Sequence, residues 1–139
     1  MNPQPKDKDK PIPKPERSLA QLKKDLDKVF NKFIRHRDSC NGMFKCISCG
    51  EVKPVSQMHA GHYYSAGHHS ALRWVEQNCN GQCVKCNTFL HGNLLGYKKG
   101  MLEKYGKAFV ERLEQCKNNK SKMMRFEVLF LIDHYKKLI

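Results

Sequence analysis

Acidic residues are scarce in this chain: 13 Asp and Glu stand against 26 Lys and Arg, leaving a formal net charge of +13 over 139 residues. A surplus of that size favours a polyanion as partner, because neutralised phosphates release their counterions. No apolar run approaches the roughly 18 residues a membrane span requires. Residues 1–18 likewise lack the apolar run of a signal peptide. No strongly amphipathic basic helix stands apart from core-like ones, so a membrane surface is not expected as a partner. These absences point to a reducing cytosol. There the seven cysteines, an odd number, do not read as a disulfide framework. Also missing is the His-x-Glu motif of zinc deaminases: Ala60-Gly61 follow His59, and Tyr63-Tyr64 follow His62.

What is present is a pair of Cys-x-x-Cys knuckles, Cys46/Cys49 and Cys83/Cys86. The segment they enclose is short and polar, and a unit of that kind needs a metal to hold it. Four soft thiolates in a tetrahedral set select zinc, with iron as the usual impostor. Such a site is closed, so a structural Zn2+ is expected rather than a catalytic one. Gly50 allows the tight reversal that aims both thiolates of the first knuckle at one ion. Cys40, Cys79 and Cys116 remain as free thiols, with Cys40 and Cys79 as spare ligands in the alternative.

The length suits one domain. We divide the chain into a basic, Pro- and Lys-rich disordered tail over 1–17 and a single zinc-braced domain over 18–139. Ser18 and Gln21 form a capping box. Leu19, Leu22, Leu26, Val29, Phe30 and Phe33 then follow at helical spacing. Asn41-Gly42 marks a turn, and Phe44–Ile47 a short strand into the first knuckle. Residues 51–60 read as a turn and strand, with His62–Tyr64 beginning another extended stretch. Residues 71–82 read as irregular, anchored by Trp74 and Val75. Helices are expected from Cys83 to about Tyr97, over 101–116 and over 121–138, with Gly100 as a breaker. The fold class is α+β.

Five of the seven histidines, His59, His62, His68, His69 and His91, lie within or just after the segment between the knuckles, with Asn78 and Asn87 among them. Asn87 and His91 would share one face of the expected helix. A strand pair laid over that helix would bring His59 and His62 to them. The grouping suits a hydrolytic metal site: a neutral histidine takes the proton of water, and a divalent ion polarises a phosphate. His68 and His69, beside Gly67, read more simply as loop residues.

The residues in sequence order also resemble a known family. Lys45-Cys46-x-x-Cys49-Gly50, Ala60-Gly61-His62-Tyr63, Arg73-Trp74-x-x-x-Asn78 and Gln82-Cys83-x-x-Cys86-Asn87 look like the NinG family of lambdoid phages, also called Rap. Gly92-Asn93 and Tyr105-Gly106-x-x-Phe109-Val110 extend the likeness, which covers roughly residues 20 to 115. More distantly, the centre is similar to HNH or His-Me finger nucleases, in which a ββα unit carries a catalytic histidine on its first strand and metal ligands on its helix. The resemblance implies His62 as catalytic base and Asn78 as the middle asparagine. It implies Asn87 as a ligand of a catalytic divalent cation, Mg2+, Mn2+ or another transition metal, with His91 and His59 as further partners. It departs where an acidic ligand is expected: Gly61 precedes His62, and His59 stands where the NinG pattern has Asp. That weakens a magnesium site more than a manganese, nickel or zinc one.

Together these features lead us to expect a metal-dependent endonuclease acting on branched recombination DNA, Holliday junctions or D-loops. The branched substrate, and a place in the cytoplasm of a phage-bearing host, come from the resemblance. Arg73 is a candidate catalytic-site phosphate clamp. Lys98, Lys99, Lys104 and Lys107 would grip the DNA backbone. A homodimer would meet two strands symmetrically. The alternative is a zinc-stabilised DNA-binding protein without catalysis.

Overall fold

A computed structural model describes residues 11–139. The first part of the expected tail, residues 1–10, lies outside the described residues; residues 11–17 carry no helix or strand and are exposed. Helix α1, Leu19–Arg37, starts at the capping box: the Ser18 side chain accepts from the Gln21 N–H, and the Gln21 side chain accepts from the Ser18 N–H. Its buried residues are Leu22, Leu26, Val29, Phe30 and Ile34.

Asn41 and Gly42, both at positive φ, turn β1 (Ser39–Cys40) into β2 (Met43–Lys45). That pair of conformations is the tight hairpin turn such dipeptides favour. β3 (Val52–Pro54) completes a three-stranded antiparallel sheet around the first knuckle. β4 (Met58–His62) and β5 (Cys79–Cys83) form a separate antiparallel pair, with Met58 opposite Cys83 and His62 opposite Cys79. The extended stretch around His62 is therefore the end of β4, not a new strand.

β5 corrects the expectation of irregular chain over 71–82. Its sequence, Cys79-Asn80-Gly81-Gln82-Cys83, has no β-branched residue, yet all five positions are buried. The expected helix over 83–97 is also corrected. Lys85–Phe89 is a single wide π-type turn, and His91, Gly92 and Asn93 follow at positive φ. α2 begins only at Leu94 and runs to Tyr105; α3 is Lys107–Cys116 and α4 is Arg125–Lys137. The break between α2 and α3 is Gly106, at φ +83°, not Gly100.

Three packed clusters hold these elements. α1 and α4 share Leu26, Phe30, Ile34, Val128 and Tyr135, with Cys79 of β5 beneath them. Phe44 and Met58 pack with Cys46, Cys83 and Cys86. Tyr97 and Met101 of α2 meet Val110 and Leu113 of α3 over Leu72. The four-cysteine cluster thus sits where the two sheets and α2 converge.

Candidate functional site

The four expected cysteines converge. The Sγ atoms of Cys46, Cys49, Cys83 and Cys86 all lie within 4.8 Å of one another. The Cys49–Cys83 pair is 3.9 Å apart, and two thiolates on one tetrahedral zinc would be about 3.8 Å apart. Three N–H groups point at sulfur: Cys83 N–H to Cys46 at 3.3 Å, Cys86 N–H to Cys83 at 3.4 Å, and the Asn93 amide to Cys86 at 3.4 Å. Such donors favour thiolate over thiol. Burial pushes the Cys46 thiol up, but backbone N–H groups of Cys49, Cys83 and Ser48 outweigh it and hold the group below its ordinary value, whereas burial prevails at Cys49, which is raised, and at Cys86, which is pushed up to about 12. Donor type, spacing and the N–H groups aimed at sulfur are all compatible with a structural zinc. Cys79 is a core residue, and burial lifts its thiol to about 12. Cys40 is exposed, and neither it nor Cys116 joins the cluster.

The chain around the knuckles is held by close backbone approach. A side chain at Gly100 would collide with the carbonyl of Ile47, and one at Gly96 with that of Ser48. These glycines let α2 lie directly on the first knuckle. Beside them a crevice of about 680 Å3 is lined by Lys45, Cys46, Lys99, Glu103 and Lys104, among others.

His62 is the last residue of β4. Its Nε2 lies 2.8 Å from the Arg73 carbonyl oxygen, which can only accept, so Nε2 carries the proton. In the neutral ring Nδ1 is then the acceptor, and the buried Cys79 thiol, 3.9 Å away, donates to it. Phe30 packs at 6.4 Å between ring centroids. Buried Asn78 ties down the loop after His62: its oxygen accepts from the Tyr64 N–H at 2.9 Å, and its amide donates to the Tyr64 and Leu72 carbonyls. Arg73 forks onto Asp27, which also accepts from Trp74 Nε1, and its guanidinium stacks 4.7 Å from the Trp74 ring centre. With those partners Arg73 holds the loop that orients His62 and is not a free phosphate clamp.

Asn87 does not face His62. Its amide donates to His59 Nδ1 at 2.9 Å. His59 and His62 are three residues apart on one strand, so the pleat directs them to opposite faces. His59 lies on the face of Gly61, Asn80 and Gln82. Beyond Gly61, where a side chain would collide with it, lies the buried Gln82. Gln82 donates to Ser48 Oγ at 2.8 Å and to the Gly92 carbonyl at 2.6 Å. Because His91 sits at positive φ beyond the π-type turn, Asn87 and His91 are not neighbours on one helical face. Among the described residues the four cysteines alone form a group of three or more metal-ligating Cys, His, Asp or Glu side chains.

The lysines divide. Lys98 and Lys99 are exposed on α2. Lys107 is exposed and only loosely paired, 3.8 Å from Glu111. Lys104 turns inward to Asp38 and Asn80, at 3.3 and 3.0 Å. Sequence reasoning missed the network around it. Asp38 accepts from Arg37, from the Gly81 N–H and from Lys104; Asn80 accepts from Tyr105 and donates to Tyr97, whose hydroxyl donates to the Gly61 carbonyl. Burial alone would raise Asp38, but these donors hold its carboxyl below the ordinary value. The only sequence signal was polar residues in a segment that reads as irregular.

Fold and site define a small α+β protein built on a four-cysteine centre. The model described as Bacteriophage Lambda NinG protein matches residues 5–139, and the chain belongs to the NinG family. It is 38% identical over 91 residues to "Protein ninG" of Salmonella phage P22, covering 66% of this chain and 43% of that one. It is 36% identical over 95 residues to "Protein ninG" of Escherichia phage lambda and to that of Escherichia phage 933W, covering 68% of this chain and 45% of each. The match spans less than half the length of these curated relatives. No solved structure matches the chain. Among the described residues no helix is long and apolar enough to cross a membrane.

Proposed function

We propose that this chain is a zinc-braced, HNH-like endonuclease that hydrolyses phosphodiesters in branched recombination DNA. The observation that carries the reading is the setting of His62. A carbonyl fixes its Nε2–H, which makes Nδ1 the basic nitrogen; water would take the place of the Cys79 thiol there when His62 acts as general base. Asn78 clamps the loop that follows, as the middle asparagine of an HNH unit would. A divalent ion would be held by His59 and Asn87, with water and a DNA phosphate completing its shell, and would stabilise negative charge on the phosphate. These two donors are neutral, so imidazole-accepting ions such as Mn2+ suit them better than Mg2+. With the Asn87 amide reversed, its oxygen and an unprotonated His59 Nδ1 would offer two donor atoms to one cation. The net charge of +13 and the exposed Lys98 and Lys99 support a DNA partner.

One observation favours a second reading, DNA binding without catalysis: His62 and the His59–Asn87 pair look out from opposite faces of β4. The variant His62→Ala separates the two. On the nuclease reading, cleavage of a four-way junction with Mn2+ or Mg2+ falls by about 100-fold or more while junction binding persists. If the intact protein cuts no DNA form with any divalent metal, the binding reading replaces it.

A further inference from the structure

Between Phe89 and Leu95 the chain exposes large apolar side chains that nothing among the described residues covers. Phe89 is 72% exposed, Leu90 47%, Leu94 54% and Leu95 90%. They sit on a stiff support. The Leu90 N–H donates to the Lys85 carbonyl, Gly92 to Cys86, Asn93 to Leu90 and Tyr97 to Asn93, all at 2.8–2.9 Å. The turn grows directly out of the second knuckle and is anchored to it by the Asn93 amide on Cys86. An aromatic ring presented this way is held ready for contact.

Charge says what covers it. From Gln77 to Leu102 the chain has no Asp or Glu, while Lys85, Lys98 and Lys99 all lie in that stretch. Lys98 and Lys99 follow Leu95 by three and four residues on α2, so they share its side of the helix. An apolar tip whose own stretch of chain carries cations and no acid suits a polyanion with exposed π-faces. It is poorly suited to pairing with its own like-charged copy. Double-helical DNA hides its bases in the stack, whereas a branch point offers unstacked ones. Apolar wedges act on base steps in this manner, and base stacking on an aromatic ring is tolerant of sequence.

We propose that Phe89, with Leu95 beside it, is a wedge that stacks on an unpaired base at a DNA branch point, and that Lys98 and Lys99 hold the adjoining phosphates. This rests on the DNA partner of the reading above but not on catalysis.

The test uses the full-length chain loaded with zinc, without added Mn2+ or Mg2+ so that cutting is silent. The probes are a four-way DNA junction with 2-aminopurine at the branch and a linear duplex of the same sequence. For Phe89→Ala combined with Leu95→Ala, junction affinity should fall about tenfold and linear affinity by no more than about twofold. The 2-aminopurine response should also disappear. Phe89→Tyr, which keeps the ring, should retain both. Equal loss on the two DNA forms, or no loss on either, overturns the wedge. So does a change from dimer to monomer in the double variant with the fluorescence response intact, since the patch would then join copies of the chain. Cleavage separates the two proposals. A wild-type protein that gives the fluorescence response but cuts nothing with any metal removes the nuclease and leaves the wedge. One that cuts junctions while the double variant binds them as before removes only the wedge.

Discussion

At the scale of single residues, Asp27 and Arg73 decide how His62 is held. Asp27 accepts from both the Arg73 guanidinium and the Trp74 indole, and the Asp27 and Arg73 side chains are each about one-third exposed. Asp27→Ala should cost about 1–2 kcal/mol in chemical denaturation, within the range of a partly solvated charge-assisted pair. For Arg73→Ala the salt dependence of DNA affinity should not change, because Asp27 already engages that guanidinium. Lys98→Ala or Lys99→Ala should instead lower the slope of log affinity against log salt by about one phosphate contact each, with little loss of stability. Gly61 is a second pivot. Its missing side chain leaves the space that buried Gln82 fills. Gly61→Asp, which would restore an acid before His62, should therefore destabilise the fold by at least about 2 kcal/mol, read as a fall in melting temperature. A variant that melts like the parent and binds Mn2+ would show that Gln82 yields, against this account.

At the scale of elements, α2 carries the site because it lies against the first knuckle without side chains between. Gly100→Ala gains about 1 kcal/mol of helix propensity, but its methyl group meets the Ile47 carbonyl, which cannot retreat without moving Cys46. The net effect should be weaker zinc retention, measured as faster metal transfer to a chelator. The end of α1 is latched to β5 and α2 through Asp38. Its folded carboxyl lies below the ordinary value, so its contribution is complete above the unfolded value and fades as pH falls through the folded one. Asp38→Asn should cost about 2–3 kcal/mol near pH 7. The gap to the parent should narrow at pH values below the usual carboxylate range. An equal gap at both pH values would mean that Asp38 acts through shape rather than charge.

At the scale of the whole molecule, a zinc ion on the four cysteines would make folding and metal binding one equilibrium. The cluster of Phe44, Met58 and three of the cysteines is small, and the two sheets have no larger shared core. Chelation of zinc should abolish the cooperative thermal transition of the sheets and knuckles, while α1 and α4 keep part of their helical circular dichroism through their own contact. A sharp transition of unchanged midpoint after complete metal removal would show that the thiols pack adequately by themselves.

The capping box at Ser18, the apolar spacing of α1, the Asn41-Gly42 turn and the four zinc-type cysteines were legible in the sequence, because each rests on interactions only a few residues long or on a repeated ligand spacing. Exposed Lys98 and Lys99 were legible for the same reason. β5 was not, since Cys79-Asn80-Gly81-Gln82-Cys83 is polar by composition and becomes a buried strand only when Asp38, Tyr97, Ser48 and Gly92 arrive to satisfy it. The helix expected after Cys83 failed because the second knuckle needs left-handed residues at 91–93 to aim Asn93 at Cys86. Those same long-range contacts place Asn87 against His59 and leave His62 with Arg73. The sequence determined which candidate residues are present; the tertiary structure alone decided which of them meet, because strand pleat and knuckle geometry bring together positions far apart in the chain.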